Sequence, residues 1–239
     1  MDTILFDLDG TLLPLDMETF MHAYFHELSK KCASAGYEPR RLVEALLVGL
    51  EAMQANNGEV TNEDRFFETA SKIVGERVFQ DKPLFRSFYL NEFEQVKHAV
   101  DPTPLAAECI KDLKEKGYQL VLATNAIFPK EATFARIAWA GLNKDDFVLI
   151  TTYEDCHYAK PNLGYYEEIL VRIGRDAEDC MMVGNDVRED MCVQELGMDT
   201  FLVTDCLINK DEVDISQFKH GSLADFYQYV QSLPEVDKQ

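Results

Sequence analysis

Residues Ile4–Leu13 read ILFDLDGTLL, an apolar run that ends in two carboxylates, Asp7 and Asp9, one residue apart. The run does not alternate apolar with polar positions, so it predicts a strand buried on both faces of a sheet. Runs of the same kind recur downstream as YQLVLATN (118–125), FVLI (147–150), CMMVGND (180–186) and TFLVT (200–204). Each follows a helical pattern closed by a glycine: 105–116 before Gly117, 130–140 before Gly141, 162–173 before Gly174 and 188–196 before Gly197. Glycine ends helices because it accepts the left-handed conformation of the terminal turn. Buried strands alternating with helices predict an α/β fold, a Rossmann-like parallel sheet with helices on both faces.

Between Asp16 and Val100 no strand is expected, only amphipathic helices. Met17, Phe20, Met21, Tyr24, Phe25 and Leu28 keep helical spacing behind Asp16 as N-cap. A second helix follows Pro39, carrying Leu42, Val43, Leu46, Leu47 and Leu50. A third starts at Thr61, with Asp64 completing an approximate capping box, and buries Phe66, Phe67, Ala70 and Ile73. A fourth, capped by Asp81, carries Leu84 through Val96 before DPTP (101–104) breaks the pattern. The expected organisation is an α/β core of residues 1–15 and 101–239 with an all-α helical cap domain, 16–100, inserted into it.

Composition narrows the partners. Hydrophobic residues make up 46% of 239, enough for a packed core. A formal net charge of −20 argues against nucleic acid or an anionic membrane surface. No run approaches the length of a membrane span, and no basic leader followed by a long apolar stretch is seen. The six cysteines form no CxxC pair and read as reduced thiols, mostly buried. The expectation is a cytoplasmic monomer acting on a small soluble molecule.

Ligands of open parallel sheets bind beyond the carboxyl ends of the strands. That rim should receive Asp7 and Asp9, Thr124 and Asn125, Lys160 from the loop TTYEDCHYAKP (151–161), and Asp186 with Asp190 from VGNDVRED (183–190). Four crowded carboxylates would be driven toward their neutral forms unless cations balance them. One lysine is too little, whereas Mg²⁺ takes carboxylate, carbonyl and water oxygens and is commonly bound beside phosphate. The rim therefore has the composition of a phosphoryl-transfer site.

DLDGT (7–11), ATN (123–125), AKP (159–161) and GND…D (184–190), in this order and each after a strand, resemble the four motifs of the haloacid dehalogenase superfamily. The helical insert resembles that family's cap by position and length. The resemblance implies a Mg²⁺-dependent phosphatase acting on a small phosphate monoester. It implies Asp7 as the nucleophile that becomes an aspartyl phosphate, Asp9 as general acid and base, and Lys160 as the counter-charge. It also implies Thr124 and the backbone N–H of Asn125 or Ala126 as phosphate holders. Mg²⁺ would rest on Asp7, the backbone carbonyl of Asp9, and Asp186, with Asp190 behind them orienting Lys160 or a metal-bound water. The last motif departs from the usual Gly-Asp, since Asn185 separates Gly184 from Asp186. Asn185 is thus an alternative metal contact.

Other functions share parts of this pattern. A non-catalytic phospho-acceptor module orders its acids, threonine and lysine differently and carries no helical insert. A haloacid dehalogenase needs no second aspartate, because no leaving oxygen has to be protonated. A phosphomutase of the same fold shares every site residue and stays open. His22 and His26 have metal-ligand spacing, but Ala23 stands where a zinc protease has glutamate, and cap packing or substrate contact is expected for them. Arg40 and Arg41 are further candidate substrate contacts.

Overall fold

The computed structural model describes residues 1–236. Six parallel strands form one sheet: β1 (Thr3–Phe6), β2 (Gln119–Leu122), β3 (Leu149–Ile150), β4 (Cys180–Gly184), β5 (Asp199–Val203) and β6 (His220–Gly221), in the order β3-β2-β1-β4-β5-β6. Strand order reverses beside β1, which pairs with β2 on one side and with β4 on the other. In such a sheet the crevice opens at that reversal, beyond the carboxyl ends of β1 and β4.

Side-chain alternation along β1 explains why its run is wholly apolar. Ile4 and Phe6 enter one core, and Leu5 enters the other. On the first face Phe6 meets Phe226 edge-on, 5.7 Å between centroids, from α9 (Leu223–Ser232), with α6 (Pro104–Glu115) beside it. On the second face Tyr165, Tyr166 and Ile169 of α8 (Leu163–Ile173) cover Leu5, Val121 and Met182. Truncating a ring such as Phe6 to alanine costs about 3–5 kcal/mol.

From Met17 to Ala99 every regular element is helical or 3₁₀: α1 (Met17–Ala33), α2 (Pro39–Gln54), α3 (Asn62–Val74), the single turn α4 (Arg77–Gln80), α5 (Lys82–Leu90) and a 3₁₀ stretch Glu92–Ala99. The two connections run side by side, with Leu15 pairing antiparallel to Val100 and the Asp101 N–H donating to the Pro14 carbonyl at 2.8 Å. Aromatic rings of α1 and the 3₁₀ stretch, Phe20, Tyr24 and Phe93, continue the core of the first sheet face into this helical part. Phe93 stacks on Trp139 of α7 (Lys130–Trp139), and the indole N–H donates to Glu94 at 2.8 Å. Asn62, fully buried, ties α3 to the loops beyond β2 and β3: its amide donates to the carbonyls of Ala126 and Tyr158, each at 2.9 Å. Its own N–H donates to the Cys156 carbonyl at 2.8 Å.

Several expected elements differ. The fourth insert helix breaks at Asn91, because Phe93 and Val96 must both enter the core and their spacing of three residues suits a 3₁₀ turn. Asp81 caps nothing through its side chain; Tyr37 donates to it at 2.7 Å and Arg77 at 3.0 Å. Residues 188–196 form no α-helix but a 3₁₀ segment, Met191–Leu196. The sequence patterns predict neither strand β6 nor helix α9.

Candidate active site

Asp7 follows β1 directly, and its N–H donates to the Val183 carbonyl at 2.9 Å. The chain then turns tightly through Gly10, whose N–H donates to the Leu13 carbonyl at 2.8 Å. Gly10 has φ +85°, and a Cβ there would stand 2.3 Å from the Asn185 amide nitrogen, so the position requires glycine. This turn sets Asp9 beside Asp7 at the crevice.

Lys160 is almost fully enclosed, and its ammonium donates to Asp7 Oδ1 at 2.9 Å and to Asp190 Oδ1 at 2.6 Å. Asp190 is held in turn by the Asp186 N–H, 3.0 Å from Oδ2. Gly184 makes the room, since a Cβ there would lie 2.1 Å from Asp190 Oδ2. That close approach gives the displaced glycine of the last motif a physical reason. Asn185 uses its amide elsewhere: Oδ1 accepts from Thr11 at 3.0 Å, and Nδ2 donates to the Cys206 carbonyl at 2.7 Å. The Asp186 carboxylate accepts the N–H groups of Arg188 and Glu189 at 2.8 and 2.9 Å.

The second motif is pinned from below. The Thr124 carbonyl accepts the hydroxyls of Thr151 at 2.6 Å and Tyr165 at 2.7 Å. Asn125 accepts the Lys160 N–H at 3.1 Å and donates to Glu189 at 3.0 Å, so it braces the lysine loop against the fourth motif. Asp7, Asp9, Thr124, Asn125, Lys160, Asp186 and Asp190 thus share one rim. His22, His26, Arg40 and Arg41 face solvent and line none of the clefts beside it.

Two site groups carry no signal in the four motifs. Glu189 joins the acids through Asn125. Arg136, on α7, is fully buried and pairs through Nη1 with Asp9 Oδ2. Its position was legible in principle, since it falls four residues after buried Ala132 and three after Thr133, on the apolar stripe of its helix.

Charge does not balance within the protein. Burial pushes Asp7 up to about 7, with Asp190 and Asp9 adding to the rise and Lys160 opposing it. Burial likewise raises Glu189 to about 7, and it raises Asp9 and Asp186. For Lys160 burial works toward neutrality, yet Asp190 and Asp7 together hold it well above the ordinary lysine value. One ammonium shared by two carboxylates leaves Asp7 the less compensated of the pair. Among the described residues no group of three or more His, Cys, Asp or Glu side chains is arranged to hold a metal ion. The expected set is of another kind, two carboxylates and a backbone carbonyl. An all-oxygen set with surplus negative charge suits a hard divalent cation.

The haloacid dehalogenase-like hydrolase family model matches residues 1–191. The chain belongs to that family. A glyceraldehyde 3-phosphate phosphatase from Methanothermobacter thermautotrophicus is 32% identical over 145 residues, 60% of this chain and 62% of that enzyme. The match therefore spans less than two thirds of that relative. Pyrophosphatase PpaX from Bacillus velezensis is 24% identical over 204 residues, covering 82% of this hydrolase and 80% of PpaX. The solved 2-haloacid dehalogenase of Pseudomonas syringae pv. Tomato DC3000 shares the fold, with TM-score 0.61, 20% identity, and coverage of 97% and 99% of the two chains. No helix among the described residues of this hydrolase is long and apolar enough to cross a membrane.

Proposed function

We propose that this hydrolase is a phosphatase that cleaves a small phosphate monoester through an aspartyl phosphate on Asp7. The observation that carries the reading is the buried Lys160 ammonium bridging Asp7 and Asp190 at the sheet's reversal point, with Asp9 two residues beyond Asp7. In the first step Asp7 attacks phosphorus while Asp9 gives its proton to the departing alkoxide oxygen. In the second, Asp9 removes a proton from water, which attacks the aspartyl phosphate and releases inorganic phosphate. Lys160 offsets the charge shared by nucleophile and phosphate, and the backbone beside Thr124 offers N–H donors to the non-bridging oxygens. Asp7, the Asp9 carbonyl and Asp186 are the groups that would hold Mg²⁺, whose charge would let a phosphate dianion approach the carboxylates. Asp186 is favoured over Asn185 because the Asn185 amide is engaged at both ends. Residues 16–100 act as a cap that limits the substrate to what fits between insert and sheet.

Two clefts flank the site, neither of them lined by Asp7 or Lys160, and their acidic linings disfavour a leaving group that carries a second anion nearby. A cleft of about 970 Å³ beside Asp186 and Glu189 also carries Glu51, Glu195 and Asp211, against Arg188 and Lys210. A second, of about 780 Å³ beside Asp9, carries Asp16, Glu18, Asp101 and Asp205, against His98. A phosphomutase passes a bisphosphate through its site and needs cations for the second phosphate, so this surplus of acids weighs against that alternative. The deciding experiment is a screen of phosphate esters with and without Mg²⁺; absence of phosphate release from every ester overturns the reading.

A further inference from the structure

We propose that Arg136 is a positioning residue for Asp9, gripping Oδ2 so that Oδ1 alone exchanges protons with the leaving group and with water. The inference rests on the phosphatase reading above. The guanidinium is held on every side. Nε donates to the Ala132 carbonyl at 3.3 Å, Nη2 to Thr133 Oγ1 at 3.4 Å, and Nη1 to Asp9 Oδ2. Its face lies over the Phe128 ring, 4.4 Å from the centroid. That ring is itself fixed by Phe20 and Tyr24 of α1, at 6.4 and 5.4 Å between centroids. A guanidinium clamped in this way has one orientation, and its single contact, Nη1 to Oδ2, fixes which oxygen of the Asp9 carboxylate is engaged.

The two oxygens of Asp9 then differ in kind. Oδ2 is taken by Arg136. Oδ1 is buried and has no hydrogen-bond partner in the protein. A native fold seldom leaves a buried acceptor unmatched, and such an atom at a reactive site points to a partner supplied by the reaction. The cations divide the work accordingly: Lys160 serves Asp7 and Asp190, while Arg136 serves Asp9. A freely rotating Asp9 would present either oxygen, or turn toward Lys160 and compete for the charge that Asp7 needs.

A brace for α7 would also be buried and stacked, so the test must read Asp9 rather than the fold. Arg136→Met and Asp9→Asn are made singly and together and assayed as Mg²⁺-loaded enzymes with p-nitrophenyl phosphate, in steady state and in the first turnover. Nitrophenolate leaves without much protonation, so Arg136→Met should keep its first-turnover burst within about threefold. Its steady-state rate should fall by ~10²-fold, the scale of losing a general acid–base group. In the Asp9→Asn background the Arg136 change should add less than about threefold, because it acts through a group already removed. Arg136→Lys should recover part of the loss, and it replaces Arg136→Met in the cycle should that variant fail to fold. Equal losses in burst and steady state, or full additivity in the double variant, overturn the assignment and make Arg136 a structural brace. Wild-type enzyme inactive on every phosphate ester overturns instead the phosphatase reading.

Discussion

Replacing Lys160 by methionine removes a charge while keeping much of the stem, and the consequence follows from the site's geometry. The ammonium lies 2.9 Å from Asp7 and 2.6 Å from Asp190, enclosed by protein. Unit charges about 4 Å apart at an effective dielectric of about 20 interact by about 4 kcal/mol. Asp190 takes part of that field, and about 3 kcal/mol left for Asp7 and the incoming phosphate corresponds to ~10²-fold in rate. Burial already pushes Asp7 up to about 7 in the metal-free protein with Lys160 opposing it, so the variant without metal should hold Asp7 protonated to still higher pH. The assay is steady-state hydrolysis of p-nitrophenyl phosphate at saturating Mg²⁺, with circular dichroism and a thermal melt to confirm the fold. A folded variant that loses less than threefold would refute the electrostatic role.

The remaining expectations concern metal, pH and substrate charge. Chelation by EDTA should abolish turnover and Mg²⁺ restore it, while Ca²⁺, with its larger and looser shell, should inhibit; full turnover in chelator would contradict the site. Asp7 and Glu189 bind protons in the fold at pH values where their ordinary pKa values of 3.8 and 4.5 leave the unfolded chain ionised. Metal-free stability should thus fall as pH rises from about 4 to about 7, with Mg²⁺ raising the melting temperature more at pH 8 than at pH 5. Asp7→Asn should flatten that slope, and an unchanged slope would sink the assignment. Alkyl monophosphates with uncharged alcohols should exceed pyrophosphate in kcat/KM by at least ~10-fold, the effect of about 1.4 kcal/mol of repulsion in the acidic clefts; a preference for pyrophosphate would contradict the charge argument.

The parallel strands were legible because burial on both faces removes polar residues from whole runs, as in Ile4–Phe6 and Cys180–Val183. Helix boundaries were legible where caps act locally, as at Asp16, Thr61 and Gly174. Periodicity failed at Asn91 and at Met191, where tertiary demands tighten the backbone into 3₁₀ turns. The site residues could be collected on one rim because each sits directly after a strand or in the loop beyond it. Arg136 and Asn62 escaped because their partners, Asp9 and the Ala126 and Tyr158 carbonyls, lie 127, 64 and 96 positions away in the chain, and no local spacing encodes them. His22, His26, Arg40 and Arg41 are exposed and do not pack into the cap core, because the helix faces that carry them turn away from it.

Asp7 supplies the oxygen that attacks phosphorus in the proposed reaction, and one trapping measurement reads it directly. Asp9→Asn keeps the nucleophile but lacks the base that activates water, so mixing it with p-nitrophenyl phosphate and Mg²⁺ should release about one equivalent of nitrophenol per site and then slow. Acid quenching followed by peptide mass spectrometry should find one phosphoryl group on Asp7, and Asp7→Asn should give neither burst nor label. A label on any other residue, or a burst from Asp7→Asn with none from Asp9→Asn, would contradict the assignment.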